Sequence, residues 1–465
     1  MSDHDTNEAP LMLTISGARG IVGASMTPEV AHRLAATWGD YLASTTDGSP
    51  VVVLGRDSRP SGPELSEAAA RGLQDAGCQV VSLGIVTTPT TGVMIGALRA
   101  VGGVMITASH NPSPWNGLKL LDGRGTAPPA DVASGIIERY RSEEPTPRSA
   151  TPADRREDAR GHDTHVAKVL GQVDPMPIRE RGFRVVLDSV NGAGGPAGRM
   201  LLEALGCEIV HLHGEPTGNF AHPPEPRKDH LGELCQVVVD SGADIGFAQD
   251  PDADRLAIVD DGGRYIGEEY TLALAARTIL GREPGQSAAA NLSTSRLIDD
   301  VAAGFGATVH RSPVGEANVA EVMRAQDAII GGEGNGGVML PAVTWVRDSL
   351  SAMALVLELL VSEGCSLSGI VDRMPRYAML KQTIELDGQD ASVRLHRGIE
   401  AVAEAYRQRD EATVQTGDGV RVDLPTGWFH LRASNTEPIA RLIIESDDEA
   451  TAQQLASEAR AIADL

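Results

Sequence analysis

Several things this sequence has little of narrow its class before any motif is read. No apolar run approaches the roughly 18 residues that a membrane-spanning helix needs. The first ten residues, MSDHDTNEAP, offer neither the basic start nor the apolar stretch of a signal peptide. The expectation is therefore a cytoplasmic protein with no membrane partner. Positive charge is scarce: 40 Lys and Arg stand against 64 Asp and Glu, for a formal net charge of −24. That balance excludes a non-specific nucleic-acid binder, which needs a basic face. Only four of the basic residues are lysine. An acidic, lysine-poor surface suits a salty cytoplasm, and a GC-rich genome produces the same bias. Cysteine is sparse as well. Cys78, Cys207, Cys235 and Cys365 have no paired spacing and read as buried thiols in a reducing compartment. An acidic protein that must hold an anion has to gather its positive charge in one place, so individual Arg and Lys residues carry weight.

What is present is a repeat. An apolar run ends in a polar turn, a helical stretch follows, and a Gly leads into another β-branched run. The pattern occurs at VVVLGRDSRPSGPELSEAAARGLQDAGCQVVSLG (51–84), at FRVVLDSVNGAGGPAGRMLLEALGCEIVHL (183–212) and, more faintly, at SAAANLSTSRLIDDVAAGFGATVHRSPVG (287–315). Continuous apolar strands of this kind belong to sheets covered on both faces, so each copy predicts a βαβ unit. At 465 residues the chain is too long for one core. A Pro-rich, charged stretch over 141–163 reads as an exposed connection, and TLALAARTIL opens a new helix after residue 270. The remainder alternates helices with short strands. The expected fold is three similar α/β domains with mixed sheets (1–155, 156–268, 269–375) and a smaller α+β domain (376–465).

Four polar loops carry the chemistry. In VGGVMITASHNPSPWNGLKLL (101–121), Ser109 and His110 follow a strand-like run, and Lys119 lies where the chain becomes extended again. A serine in such a turn is ordinarily a solvated loop residue or a cap. Its functional reading is a hydroxyl presented at the carboxyl end of a strand, where open α/β sheets place chemistry. No Gly-x-Ser-x-Gly elbow is present, which disfavours a hydrolase triad. In GADIGFAQDPDADRLAIVDD (242–261), Asp250, Asp252 and Asp254 crowd together between two strand-like runs. A calcium-binding helix–loop–helix would need Gly and Glu where Arg255 and Asp261 stand, and helical flanks. Carboxylates at a strand end suit Mg²⁺ holding a phosphate oxygen, with Arg255 facing the same phosphate. AIIGGEGNGGVMLP (328–341) sets Glu333 and Asn335 among glycines that let a ligand approach the backbone. WFHLRASNTEPIARLIIE (428–445) gathers Arg432, Ser434, Asn435, Thr436 and Arg441, a donor set suited to phosphate.

In this order the loops, with ISGARGIVG (15–23) before them, resemble the α-D-phosphohexomutases along essentially the whole chain. This is the family of phosphoglucomutases, phosphomannomutases and phosphoglucosamine mutases. The resemblance implies four domains around a central cleft and an isomerase that moves phosphate between the C1 and C6 oxygens of a hexose. It implies that Ser109 is the phosphoserine, and that Asp250, Asp252 and Asp254 hold one Mg²⁺ per chain together with a phosphoserine oxygen. Arg19 and Arg255 would stabilise the transferring phosphoryl, and His110 and Lys119 would manage the hydroxyl proton. Glu333 and Asn335 would hold sugar hydroxyls. Arg432, Ser434, Asn435, Thr436 and Arg441 would grip the distal phosphate. A hexose 1,6-bisphosphate would be both intermediate and activator. Many members have Ser and His in the sugar loop where this chain has Asn335 and Gly337, which leans toward phosphoglucosamine mutase. The alternatives are a broad phosphoglucomutase/phosphomannomutase and a non-catalytic sugar-phosphate-binding protein. Pro251 replaces a common Gly and should stiffen the aspartate loop. The partner is a phosphorylated hexose, and the chain is expected to be a monomer or homodimer.

Overall fold

The three repeats fold into the same supersecondary unit. The structure, a computed structural model, describes residues 10–142, 153–386, 390–434 and 439–465. In the first unit the β-branched run Val51–Arg56 forms a strand, Gly62–Asp75 a helix, Gln79–Ile85 a strand, and Thr88–Leu98 a helix; the strands Gly102–Ile106 and Trp115–Asp122 complete it. The second unit repeats this order, with strands Arg184–Asp188, Glu208–Leu212, Ile245–Gln249 and Leu256–Asp260. The third has strands Ser287–Asn291, Thr308–Ser312, Ile330–Glu333 and Gly337–Met339. In each unit the first three strands are parallel and the fourth returns antiparallel. Their order across each sheet is fourth, third, first, second. The turn between third and fourth strands is therefore one topological position occurring three times. Ser109, the aspartates at 250–254 and Asn335 all lie in it.

The first sheet is extended at both edges. Met12–Thr14 and Gly17–Ile21 join beside Trp115–Asp122, which pairs Arg19 with Gly117 and Gly17 with Lys119. At the far edge Arg155–Glu157 runs parallel to Gln79–Ile85, so the connection read as merely exposed contributes a strand, and the expected boundary at 155/156 falls inside it. The C-terminal unit is a five-stranded antiparallel sheet packed against helices Ala391–Arg407 and Glu449–Ala463 through Leu395, Val402, Leu455 and Ala459.

Cores do not follow sheets one for one. The C-terminal unit has a core of its own; the first unit has one of its own and a second that takes in Val346 of the third. The second and third share one core and each keeps a smaller one besides. Leu201 and Phe247 from one meet Leu274, Leu355 and Leu359 from helices Glu269–Arg282 and Ser349–Glu363 of the other. The helix Ser349–Glu363 is apolar almost all round because it is buried all round. Its cap, Asp348, accepts from Leu350 and Ser351 backbone N–H groups at 3.0 and 3.1 Å and also contacts His165 Nε2 at 3.0 Å, while His165 Nδ1 meets Thr90 Oγ1 at 3.0 Å. One buried polar chain thus rivets three units. Cys78 is buried as expected, but Cys207, Cys235 and Cys365 are only half-buried; none is in a disulfide. Burial still pushes the Cys207 thiol up to about 12, which leaves it unreactive. Among the described residues no helix is long and apolar enough to cross a membrane.

Candidate active site

Ser109 sits in the left-handed region at φ 51°, a conformation that a non-glycine residue keeps only when its surroundings impose it. Those surroundings are the side chains of Asp57 and Arg59. Asp57 accepts from Thr107 Oγ1 at 2.7 Å and from Arg59 Nε at 3.1 Å, and Thr107 Oγ1 in turn accepts from the Ser109 N–H at 2.8 Å. The wholly buried Arg59 guanidinium donates to four carbonyls of the loop: Ser109 (2.6 Å), Asn111 (2.7 Å), Pro112 (2.9 Å) and Trp115 (2.9 Å). Five N–H donors in a fixed fork can template a loop in this way, and lysine could not. The Ser109 hydroxyl is aimed across the domain boundary and donates to Asp250 Oδ2 at 3.2 Å; His110 Nδ1 lies 3.3 Å from it. Arg19 Nη1 donates to Asn111 Oδ1 at 3.1 Å on the same loop.

Asp250, Asp252 and Asp254 are all fully buried, with ligand atoms within 4.8 Å of one another. Lys119 Nζ donates to Asp252 at 2.6 Å and Asp254 at 2.9 Å, and Thr88 Oγ1 donates to Asp252 at 2.5 Å. Burial and repulsion from Asp254 and Asp252 push the Asp250 carboxyl well above the usual range. Burial would do the same to Asp254, but Arg347, Lys119 and Arg255 overcome it and hold that group well below. Oδ1 of both Asp252 and Asp254 is buried and accepts no hydrogen bond among the described residues. Two orphaned oxygens in an all-carboxylate cluster are the donor set of a hard divalent cation, so these residues fit Mg²⁺.

The third loop is joined to the second by Arg347, which sequence reasoning missed. Its Nη2 donates to Asp254 at 2.7 Å, its Nη1 to Glu333 at 2.6 Å, and Nε pairs with Glu316 at 3.1 Å. Glu333 is 3% exposed and also accepts from Asn291 Nδ2 at 2.8 Å. Asn335 Nδ2 reaches Glu333 at 3.4 Å while its Oδ1 accepts from the Gly337 N–H at 3.2 Å. An added Cβ at Gly334 would lie 1.9 Å from the Glu269 carboxylate beneath it, which would have to move aside.

In the C-terminal unit Arg432 and Arg441 are direct cross-strand partners, placing two guanidinium groups on one face. Like charges opposite one another destabilise a sheet unless an anion lies between them. Burial and the neighbouring Arg441 lower the Arg432 pKa, with Asp418 opposing, and Arg432 Nε is buried without a hydrogen-bond partner among the described residues. The Ser434 N–H donates to the Ile439 carbonyl at 2.9 Å; Asn435 and Thr436 lie outside the described residues. The structure therefore brings Ser109, His110, Arg19, Lys119, the aspartates and Arg255 into one cluster, links Glu333 to it through Arg347, and sets Arg432 on a separate wall. Arg59, Thr88 and Arg347 were missed. For Arg59 the signal was its position at the end of a strand, in RDSRPSG; for the other two the sequence carried none.

Four profiles of the phosphoglucomutase/phosphomannomutase family match in succession: alpha/beta/alpha domain I over residues 12–147, domain II over 163–263, domain III over 267–377, and the C-terminal domain over 391–462. A phosphoglucomutase/phosphomannomutase of Thermococcus kodakarensis is 34% identical, covering 94% of this chain and 95% of its own. A probable phosphoglucosamine mutase of Methanopyrus kandleri is 35% identical over 95% of both chains. The crystal structure of a phosphoglucomutase/phosphomannomutase family protein from Burkholderia thailandensis superposes with a TM-score of 0.84 at 29% identity, covering 97% of this chain and 98% of that one.

Proposed function

The chain belongs to the phosphoglucomutase/phosphomannomutase family, a family of phosphohexomutases and hence of isomerases, and from that premise we propose that it is Mg²⁺-dependent and prefers glucosamine phosphate. The observation that carries the assignment of roles is the Ser109 hydroxyl, 3.2 Å from a carboxylate of the aspartate cluster. Ser109 gives its phosphoryl group to one hexose oxygen and regains it from the other, through a hexose 1,6-bisphosphate. Asp250, Asp252 and Asp254 would hold Mg²⁺, which when bound neutralises the charge on the transferring phosphoryl.

The chain's own residues do the rest. A loose phosphoryl transition state asks for alignment and charge neutralisation more than for covalent chemistry. Arg59 and Asp57 fix the loop, so the Ser109 oxygen does not wander. Arg19 and Arg255 supply positive charge beside it; Arg255 Nε is buried without a hydrogen-bond partner among the described residues. Proton management divides between two groups of opposite state. Burial lowers the Lys119 pKa and the carboxylates of Asp252 and Asp254 raise it, with a net rise, so Lys119 is a proton donor at neutral pH. Burial, then Arg255 and Arg19, push His110 down to about 2, so its ring is neutral and accepts. Glu333 and Asn335 present the sugar-facing loop, and Arg432 with Arg441 grips the distal phosphate, alongside Ser434, Asn435 and Thr436.

Preference for glucosamine phosphate rests on Asn335 and Gly337 in the sugar loop and on the name of the Methanopyrus kandleri relative. The Thermococcus kodakarensis relative supports a second reading, a broad glucose and mannose mutase. ³¹P NMR of the purified protein, with Mg²⁺ and a trace of hexose 1,6-bisphosphate, separates them when glucosamine, glucose and mannose 1-phosphates are offered in separate tubes. Clear preference for the amino sugar is expected. Comparable conversion of glucose and mannose phosphates refutes it.

A further inference from the structure

A second group of ligating side chains lies in the second unit, and the reaction uses none of it. Strands Arg184–Asp188 and Glu208–Leu212 run parallel, with Asp188 paired to Leu212, so Asp188 and His213 emerge together at the carboxyl ends of adjacent strands. His222 arrives from the loop that follows. His213 Nδ1 lies 3.2 Å from Asp188 Oδ1, and His222 Nε2 lies 2.9 Å from Asp188 Oδ2. One ligand atom from each of the three falls within 4.8 Å of the others, which is the spacing around a single small cation. Asp188 is buried, and both rings are mostly covered.

The distal ring nitrogens have the outer partners that metal-ligating imidazoles use. Ligating imidazoles almost always offer the other nitrogen to a carboxylate or a backbone carbonyl, which fixes tautomer and orientation. Here His222 Nδ1 faces the Pro223 carbonyl at 2.9 Å, and His213 Nε2 faces the Glu233 carboxylate at 3.6 Å. His222 thus has an acceptor on each side, and His213 has a second carboxylate within ion-pair range. Backbone strain gathers at the same point: Val190 at φ 47°, Asn191 at 55° and His213 at 49° are all left-handed, and the Val190 N–H donates to Asp188 Oδ1 at 3.0 Å. A β-branched residue in that region persists only where its surroundings over-determine it.

We propose that Asp188, His213 and His222 form a structural site for a borderline divalent cation of the zinc class, distinct from the aspartate cluster at residues 250–254. Two imidazoles and one carboxylate suit Zn²⁺ or Co²⁺, whereas the oxygen-only cluster suits Mg²⁺. Water or substituted solvent takes the fourth position of a tetrahedral ion. Binding displaces one proton from each ring nitrogen that had carried one toward Asp188. The consequence is mechanical. The site ties down both ends of the segment 213–222, which carries Gly218 against the Ser58 carbonyl and Phe220 against Arg59, 4.9 Å from guanidinium carbon to ring centroid. Arg59 is the residue that templates the Ser109 loop. The ion would pin a strap that supports the phosphoserine from the neighbouring unit.

The test uses the full chain, stripped of metal, reloaded with Zn²⁺ in excess Mg²⁺ and then dialysed. Wild type is expected to retain about one zinc per chain more than His222→Gln or His213→Gln, and its melting temperature to rise on adding Zn²⁺ where theirs does not. Zinc-edge X-ray absorption of the wild type should show scattering from two imidazoles, which the aspartate cluster cannot supply. Equal zinc retention in wild type and both variants overturns the site, as does a spectrum without paired imidazole scattering. Should the variants not fold, the wild-type spectrum decides alone.

Discussion

The third unit meets its two neighbours in opposite ways. Toward the second unit it presents mainly hydrocarbon, with polar pairs such as Arg347 and Asp254 beside it: Leu274, Leu280, Leu355 and Leu359 lie in the same core as Leu201 and Phe247. Toward the C-terminal unit it presents polar groups. Arg421 Nη1 donates to the Leu292 carbonyl at 2.7 Å, Ser293 Oγ meets His430 Nδ1 at 2.9 Å, and the Arg296 and Val314 N–H groups donate to Glu445 and Asp418, each at 2.9 Å. Sliding an apolar seam exposes surface at roughly 25 cal/mol per Å², whereas hydrogen bonds of a polar seam exchange for water at a net cost near 1 kcal/mol each. The half that holds Ser109, the aspartates and Glu333 is therefore built to stay put. The half that holds Arg432 and Arg441 is built to move at modest cost, as reorienting a bisphosphate within the cleft would require.

Variants should sort along that line. Ser109→Ala, on the fixed side, should lower turnover at least about a thousandfold while the melting temperature stays within a few degrees. Near-wild-type turnover in a preparation free of contaminating mutase would remove Ser109 from the mechanism. Arg347→Met comes next. It strands Asp254, Glu316 and Glu333 without their shared cation, and chemical denaturation should register a loss of about 3–5 kcal/mol. A smaller loss in excess Mg²⁺ than in chelator would sharpen the point, because the ion supplies part of the missing charge. Arg432→Ala, on the moving side, should act differently: KM rises about tenfold to a hundredfold, with kcat much less affected. If kcat falls as far as kcat/KM, the distal grip acts in the transition state and the division between halves fails.

Much of this was legible from the chain because the repeat writes itself in local patterns. Apolar runs, turn residues and helical periodicity recur in order, and the chemistry falls in equivalent hairpin turns, so Ser109, the aspartates and the GEGNGG loop, each a weaker signal alone, were recognisable as a set in that order. What was not legible is what one unit does for another. Arg347 follows the third unit's last strand in a segment, TWVRDS, with no local pattern, and acquires a role only because folding brings it against Asp254. Thr88 reads as an ordinary helix start and becomes a partner of Asp252 for the same reason. The boundary expected near 268/269 separates two sheets, yet the helix placed there by its periodicity belongs to a core shared by both units. Periodicity shows which face is apolar and is silent on which unit covers it.

The smallest effect separates the two seams by pH. Glu269 lies under the sugar loop, where burial pushes its carboxyl up to about 7 despite Lys381 of the C-terminal unit, 3.5 Å away. An exposed glutamate titrates near 4.3, so between these values the folded chain holds a proton that the unfolded chain has lost. Stability from this group is full below the unfolded value and falls as pH rises through the folded one. Asp348, in the rivet of the apolar body, has the opposite sign: burial would raise its pKa, but His165 lowers it below the ordinary range. Its contribution is present above the unfolded value and lost as pH falls through the folded one. Hydrogen exchange followed between pH 5 and 8 should show the polar seam loosening as pH rises, with protection of the shared core unchanged. Glu269→Gln should flatten the first trend and leave the second alone; equal pH trends at the two seams in the wild type would show that they are not energetically separate.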